Sequence, residues 1–450
     1  MKTISIILAA GHGTRMKSDL PKVLHPVCGK PMVWHALQAA QSVTTEKPIM
    51  IVGHGANQVR NLIGDAVQFV VQKERLGTGH AVQQAESALK DFAGLVLVSN
   101  ADMPLLARET FSKLIATQKA NSGPLTMLTV IADDPRGFGR VMREGDGSVR
   151  AIVEEADATE EEKAIKELNV AAYCFDSAWL WNALSRIPLS AKGEYYLTDT
   201  VGLAVEAGLR VEAITLEDAA EAIGVNTRIH LSEAESKMRS RVNRGFMLKG
   251  ITLIDPASTY IGMEVEIGQD SIIYPNTFLR GQTKIGAGCE IGPNTIITDC
   301  KIGNRCEILS SVLEKATLED DVDMGPFARL RKGAYLSKGV HMGNFGEVKD
   351  SRLGEGVKLG HFSYIGNTTI GANTNIGAGT ITCNYDGKNK HHTEIGKEVF
   401  IGSDTMLVAP LVIGDRARTG AGSVVTKNVK EDMLAVGMPA RAIRKIQNGE

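Results

Sequence analysis

The chain has very little net charge: Lys plus Arg number 50 and Asp plus Glu 52, for a net charge of −2 over 450 residues. That balance excludes any global attraction to nucleic acid or to an anionic membrane. No apolar run reaches the roughly 18 residues of a membrane span. The six cysteines, Cys28, Cys174, Cys289, Cys300, Cys306 and Cys383, include no CxxC pair. A zinc site and a redox motif therefore have no sequence signal, and packed thiols in a reduced compartment are expected. The first residues enter a strand-like run with no signal-peptide pattern, so a soluble, cytoplasmic protein is expected. The first glycine loop is followed by no Gly-Lys-Ser/Thr and lacks a third glycine. Neither a Walker A loop nor a dinucleotide fingerprint is present there.

What the chain does have is a period. Every sixth residue from Ile261 is a branched aliphatic: Ile267, Ile273, Leu279, Ile285, Ile291 and Ile297. A helix needs apolar residues every three or four positions and a half-buried strand needs alternation, so neither fits. Hexads fit a solenoid of short strands, each contributing one inward aliphatic and one tight turn. The period slips after Ile297 and returns at Leu353, Leu359 and Ile365, then at Ile395, Ile401, Leu407 and Ile413. Three hexads give a triangular coil of about 18 residues with coils stacked roughly 4.8 Å apart. About ten coils make a prism of the order of 50 Å. Periodicity leaves the hand of the coil open. Residues 251–450 are thus expected to form a parallel β-helix domain.

Residues 1–226 lack the repeat and form a separate α/β domain. The apolar run ISIILAA (4–10) reads as a buried strand feeding the loop GHGTRM (11–16). Glycines there let backbone N–H groups approach phosphates, and Arg15 adds a fixed positive fork. Further strands are read at 49–53 and 95–98, the latter leading into Asn100, Ala101 and Asp102. A carboxylate at the C-terminal end of a parallel strand faces the crevice where such sheets bind ligands, a natural place for Mg²⁺. A second glycine loop, QKERLGTG (72–79), opens a helix. Residues 227–250 lack proline and are rich in helix formers, predicting a connecting helix of about 20 residues, roughly 30 Å long, that Gly250 ends.

Regular outward faces of a solenoid need no special chemistry. Here a break between Ile376 and Ile395 inserts TCNYDGKNKHH (382–392). Solenoids eject insertions as loops, often on the binding face. Arg329, Arg331, Lys332, His341, Asn344, Glu347, Lys349, His361, Tyr364 and Asn375 gather near it in sequence. An imidazole with an unperturbed pKa of about 6.5 suits proton transfer near neutral pH. His361 lies two residues past Leu359 and should face outward; His391 and His392 read as solvated loop residues.

LAAGHGTRM (8–16) with Pro21 and Lys22 resembles the sugar-1-phosphate nucleotidyltransferase signature, continued in order by QKERLGTG (72–79), GFGR (137–140), Glu154, Asn169, GEYYLTD (193–199) and Asn226. GPFARLR (325–331), NIGAGT (375–380) and TCNYDG (382–387) resemble a hexapeptide acetyltransferase. Together they resemble the bacterial bifunctional N-acetylglucosamine-1-phosphate uridyltransferase/glucosamine-1-phosphate N-acetyltransferase family over nearly the whole chain. The resemblance implies an α/β, Rossmann-like nucleotidyltransferase domain followed by a left-handed β-helix, a homotrimer, and Mg²⁺, UTP and acetyl-CoA as cofactor and co-substrates. It implies synthesis of UDP-N-acetylglucosamine, a precursor for peptidoglycan and lipopolysaccharide and hence for cell wall and cell shape.

Residue by residue, the resemblance implies that Leu8, Ala9, Ala10, Gly11, Gln72, Gly77 and Thr78 hold the nucleotide and that Arg15 and Lys22 meet the phosphates. It places Gly139, Glu154 and Asn169 at the sugar, Asn100, Ala101 and Asp102 beside it, and Mg²⁺ on Asp102 and Asn226. In the back half it implies Arg331, Lys349, Tyr364, Asn375 and Lys390 for glucosamine phosphate and His361 as general base. Glu347, Asn384 and Ser403 would orient groups at the transition state. Ala378, Asn384, Tyr385, Ser403, Ala421 and Arg441 would line the acetyl-CoA path. His12, Ala101 and Val170-Ala171 depart from the family pattern. The departures at 101 and 170–171 are expected to add Cβ atoms close to the sugar pocket. The rivals are a single-activity nucleotidyltransferase whose β-helix only trimerises, and an acyltransferase whose front pocket serves another sugar or none.

Overall fold

The structure, a computed structural model, describes residues 1–445. It divides into two compact units, Met1–Met238 and Arg239–Glu450.

The front unit is built on β1 (Thr3–Ala9), apolar on both faces as an interior parallel strand must be. A small hairpin follows, β2 (Pro26–Val27) with β3 (Lys30–Pro31). Then come β4 (Ile49–Val52), β5 (Gln68–Val71), β6 (Leu95–Asn100), β7 (Leu125–Ile131), β8 (Arg140–Arg143), β9 (Val149–Val153), β10 (Glu167–Asp176) and β11 (Val211–Thr215). The main sheet runs β11-β7-β10-β6-β1-β4-β5. Its strands are parallel except β10, which is antiparallel to β6 and β7. Alternate residues of β1 enter opposite cores: Ile7 and Ala9 pack on one face, Ile4 and Ile6 on the other. Chain order reverses at β1, which has β4 on one side and β6 on the other. That reversal opens a crevice at the strand ends. Leu8 pairs with Asn100 there, so the loops after β1 and β6 emerge side by side.

The helix Arg228–Met247 spans the division. Gly250 follows it at φ +86°, a conformation that suits glycine at a helix end. Within the second unit, Val242 and Phe246 pack on the first solenoid aliphatics, and buried Asn243 donates its amide to the carbonyls of Pro256 and Thr259 (2.8 and 3.0 Å).

The back unit is three ladders of short strands, twelve, ten and nine in number. Solenoid strands pair in parallel, as in Ile273 on Ile291 and Leu279 on Ile297. Of the hexad residues, Ile261, Ile273, Leu279, Ile285, Ile291 and Ile297 are buried, and Ile267 is half-buried against them. Asn and Asp take left-handed φ at many corners, among them Asp270, Asn276, Asn294 and Asp299. The slip after Ile297 has a simple cause. Equivalent corner residues lie 18 apart at Ser271/Cys289 but 17 apart at Thr283/Cys300 and 16 apart at Cys300/Ala316. The inserted coil stretches that spacing to 25 at Thr374/Val399. Cys289 and Cys306 do stack: the Cys306 N–H points to the Cys289 sulfur (3.4 Å), as the Cys289 N–H points to the Ser271 hydroxyl (3.1 Å). These thiols are corner packing groups.

The final strand, Ala440–Lys445, folds back antiparallel on Met433–Gly437 at the end of the twelve-stranded ladder. The basic segment up to Lys445 is therefore a paired edge strand.

Close coil stacking makes several glycines critical, Gly343 most of all within the back unit. A Cβ on Gly343 would lie 1.8 Å from the Gly360 carbonyl oxygen, whereas a Cβ on Gly360 would meet nothing within 4 Å. Gly343→Ala should destabilise the back unit by about 1–3 kcal/mol in chemical denaturation. Gly360→Ala should stay within about 0.5 kcal/mol of wild type; equal effects would refute the stacking argument.

Candidate functional site

At the crevice beside β1 lies a cavity of about 440 Å³, and its lining includes Leu8, Ala9, Ala10, Gly11, Lys22, Gln72, Gly77, Thr78, Asn100, Asp102 and Glu154. A smaller cavity of about 150 Å³ shares Leu8, Thr78, Asn100 and Glu154 and adds Gly139, Asn169 and Ala171. The residues singled out from sequence for nucleotide and sugar thus meet in one place. Two glycines have steric reasons. Gly77 sits at φ +97°, where a Cβ would come 2.5 Å from the Tyr195 carbonyl oxygen. Gly13, at φ +68°, leaves room for the Lys22 side chain, which a Cβ would meet at 2.5 Å.

Lys22 reaches across the mouth. Its ammonium pairs with the Asp102 carboxylate and donates to Asn226 Oδ1 at 3.0 Å. One carboxylate oxygen and one amide oxygen therefore converge on a cation. Gln72 Nε2 donates to the Gly77 carbonyl (3.1 Å), and the Thr78 hydroxyl accepts the Leu197 N–H (3.0 Å). At the sugar end the Thr198 hydroxyl donates to Glu154 (2.8 Å). Burial, partly offset by that bond, raises the Glu154 carboxyl above the ordinary range.

Other singled-out residues lie outside these cavities. Arg15 stands exposed on the turn Thr14–Met16 and lines neither cavity. Ala101 and Val170 are fully buried in the sheet core, so their side chains do not enter the sugar pocket. The strand turn at β6 is held by the Ala101 N–H on the Leu8 carbonyl (3.0 Å), which aims Asn100 and Asp102 outward instead. Arg75, Glu194, Tyr196, Tyr173 and Thr198 line the cavities without having been singled out. Arg75, Glu194, Tyr196 and Thr198 lie inside the quoted motifs; only Tyr173 had no such signal.

On the back unit, ladder register places Asn344 on His361 and Glu347 on Tyr364 in neighbouring coils. His361 is exposed, and its Nδ1 lies 3.2 Å from Asn344 Oδ1. That contact assigns the proton to Nδ1, which donates, and leaves Nε2 as acceptor. Arg331 pairs with Glu347 at 2.9 Å. The Lys390 ammonium, with Arg331, holds Lys349 below the usual lysine range. Asn375 lies half-buried one coil along from Lys358.

The inserted loop is ordered. Asp386 accepts the N–H groups of Lys388 and Asn389 (2.8 and 2.7 Å) and contacts His391 Nε2 (2.6 Å), and Tyr385 bridges Lys390. These bonds lower the Asp386 carboxyl. His391 is therefore a partly exposed loop residue paired with Asp386, and His392 is exposed. Buried Asn384 donates to Asn367 (2.7 Å). Along one corner Ala378, Ser403 and Ala421 follow one another on successive coils, linked by Asp404 N–H to Ala378 O (2.6 Å) and Gly422 N–H to Ser403 O (2.8 Å). Arg441 is exposed on the terminal strand opposite Val436.

Asp199 carries a pH signature. Burial first, then the Glu154 and Asp157 carboxylates, raise it from 3.8 to about 6. The folded state therefore keeps this proton after the unfolded chain has released it. Stability from this group is full below pH about 4 and lost as pH rises through about 6. Asp199→Asn should flatten that fall in a series of urea midpoints; an unchanged slope would contradict the assignment.

Residues 5–167 match the MobA-like NTP transferase domain, and residues 264–299, 350–383 and 392–427 match the bacterial transferase hexapeptide repeats. The chain is similar along its length to curated proteins described as bifunctional protein GlmU. The relative from Streptococcus agalactiae serotype III is 48% identical over 97% of this chain and 95% of its own. That from Heliobacterium modesticaldum is 47% identical over 97% and 95%. That from Geobacillus sp. strain WCH70 is 46% identical over 99% and 97%. Identity of this depth over nearly the whole of both chains shows that the chain belongs to the bifunctional GlmU family, an α/β nucleotidyltransferase domain followed by a left-handed β-helix of hexapeptide repeats.

Proposed function

We propose that this chain carries out the last two steps of UDP-N-acetylglucosamine synthesis, acetyl transfer at the back unit and uridyl transfer at the front. The observation that carries the two-activity reading is the one-sided hydrogen bonding of His361, on a unit that also gathers Arg331, Lys349 and Lys390. A trimerising scaffold requires neither. The working division is a uridyltransferase domain at 1–226, a helical connector at 227–250 and an acetyltransferase domain at 251–450.

In acetyl transfer, Arg331, Lys349 and Lys390 meet the phosphate of glucosamine-1-phosphate, and Tyr364 and Asn375 the sugar. The amine nitrogen bonds to the thioester carbonyl carbon while His361 Nε2 takes its proton. The carbon–sulfur bond then breaks and coenzyme A leaves as the thiol, with that proton restored. Glu347, Asn384 and Ser403 orient the reacting groups. Ala378, Tyr385, Ala421 and Arg441 line the coenzyme path, where small corner side chains leave the backbone open.

In uridyl transfer, a phosphate oxygen of N-acetylglucosamine-1-phosphate attacks the α-phosphorus of UTP and pyrophosphate leaves. Lys22 and Arg15 stabilise the charge that develops. Leu8, Ala9, Ala10, Gly11, Gln72, Gly77 and Thr78 hold the nucleotide, and Gly139, Glu154 and Asn169 the sugar. The hard oxygen pair of Asp102 and Asn226, already gathered on a cation, fits Mg²⁺, which keeps several waters or phosphate oxygens of its own. When bound, that ion neutralises phosphate charge.

The enzyme is proposed to act in the cytoplasm, where UTP and acetyl-CoA are made; among the described residues no helix is long and apolar enough to cross a membrane. A homotrimer is supported by the hexapeptide repeats and by the exposed stack of Phe327 on Phe345, ring centroids 5.4 Å apart.

Purified protein should convert glucosamine-1-phosphate, acetyl-CoA, UTP and Mg²⁺ to UDP-N-acetylglucosamine, with each omission stopping its own step. His361→Ala should lower acetyl transfer roughly 10²- to 10⁴-fold and leave uridyl transfer near wild type. Lys22→Ala should show the reverse pattern, with uridyl transfer down roughly 10²-fold. Chelation of the metal should stop uridyl transfer only. Full acetyl transfer by His361→Ala would sink the assignment of the base.

A further inference from the structure

The β10 strand breaks register with β7 between Asn169 and Tyr173. Within that bulge Ala171 sits at φ +56°, a backbone region that an L-residue with a Cβ rarely occupies. The bulge is determined by its neighbours. Asn169 N–H donates to the Gly139 carbonyl (2.9 Å), and Asn169 Oδ1 accepts from the Ala171 N–H (3.0 Å) and from the Tyr173 hydroxyl (3.0 Å). Asn169 and Tyr173 are both buried. Conformations of this kind collect at ligand sites, and bulges beside such sites re-aim side chains.

Ala171 lines the smaller cavity, about 150 Å³, together with apolar Leu8, Phe138 and Leu197 and with Asn169 among its polar residues, Glu154 and Thr198 included. The two acceptor contacts above occupy the Asn169 oxygen, and its Nδ2 donates to the Tyr173 hydroxyl (2.8 Å), which leaves one amide N–H to face an acceptor. A hexosamine 1-phosphate is covered in hydroxyls and carries one apolar group outside its ring, the alkyl end of an N-acyl substituent. That substituent also brings a carbonyl acceptor. An apolar wall beside an amide donor matches it and matches no hydroxyl of the sugar.

We propose that Ala171 is a specificity-determining residue of the uridyl-transfer site, its methyl group limiting the N-acyl substituent of the incoming hexosamine 1-phosphate to acetyl. This rests on the uridyltransferase reading of the front unit. Glycine in its place would favour the same backbone and remove the methyl, so the bulge should persist while the pocket gains room.

The test compares full-length wild type with Ala171→Gly, using UTP, Mg²⁺ and glucosamine-1-phosphate bearing N-acetyl, N-propionyl or N-butyryl groups. Wild type should prefer N-acetyl over N-butyryl by at least about tenfold in kcat/KM, the scale on which a pocket senses added methylenes. Ala171→Gly should narrow that preference by about tenfold, by gaining on N-butyryl while N-acetyl changes by less than about threefold, with no fall in melting temperature. Equilibrium binding of UDP-N-acetylglucosamine and UDP-N-butyrylglucosamine should shift by the same ratio. An unaltered ratio in both measurements, in a protein that binds UDP-N-acetylglucosamine, overturns the role of Ala171 alone. Wild type that fails to bind UDP-N-acetylglucosamine overturns the uridyltransferase reading, and this inference with it.

Discussion

Backbone hydrogen bonding between stacked coils is the constraint on which the back unit depends. Each coil's N–H groups must find the carbonyls of the next, so an outward side chain is placed by ladder register. Asn344 meets His361 because Met342 pairs with Leu359, and Glu347 adjoins Tyr364 because Val348 pairs with Ile365. The long coil shows how firmly this holds. Asn375 still pairs with Phe400 and Thr369 with Glu394, so the extra residues leave the ladder as a loop. Asn384 and Lys390 are carried out with it, and Lys390 comes to lie against Lys349.

Charge is arranged differently around the two cation clusters. In the front unit Lys22 is neutralised by Asp102, an arrangement stable without substrate. At the back, Arg331 has Glu347, but Lys349 is held below the usual lysine range by Lys390 first and Arg331 next. A like-charge pair on an exposed surface opposes its own protonation and is relieved by an anion. That asymmetry supports a phosphate-bearing substrate at the back site more strongly than the number of basic residues does. It also fits a front site in which the cation is exchanged between protein oxygens and phosphate.

Much of this was legible in the sequence, for identifiable reasons. Hexads were readable because each inward aliphatic maps onto one strand. The irregular region after Ile297 was not, because a coil loses a residue at its corner, where side-chain identity says little about length. The β1 loop and the 72–79 loop were readable from glycines with steric reasons at Gly13 and Gly77. Arg15 was placed at the phosphates by motif, yet the short turn Thr14–Met16 leaves it exposed and outside the cavity lining. Ala101 was misplaced because the side on which a residue leaves a strand is decided by a tertiary hydrogen bond, here its own N–H on Leu8. The pairing of His391 was not readable, because its partner Asp386 lies across a turn whose geometry local composition does not specify.

The electrostatics of the front cavities divide along their length. Lys22 and Arg75 line the larger cavity, with Arg15 on the neighbouring turn. Toward the smaller cavity the charges are carboxylates: Glu154 lies in both linings, and Asp157, Glu194 and Asp199 act on it or on one another. Burial and mutual repulsion raise Glu154 and Asp199, so that end resists gaining further negative charge. A phosphate placed there would meet mostly carboxylates, with Lys192 the cation that acts on Glu154. A sugar placed there brings hydroxyl donors that carboxylate oxygens accept. A substrate carrying both groups is therefore better matched with its phosphate toward Lys22 and its ring toward Glu154. The carboxylates that add to the burial-driven shift of Asp199 to about 6 thus also bias how a phosphate-bearing substrate is placed, in a reaction whose reacting atoms are all phosphate oxygens and phosphorus.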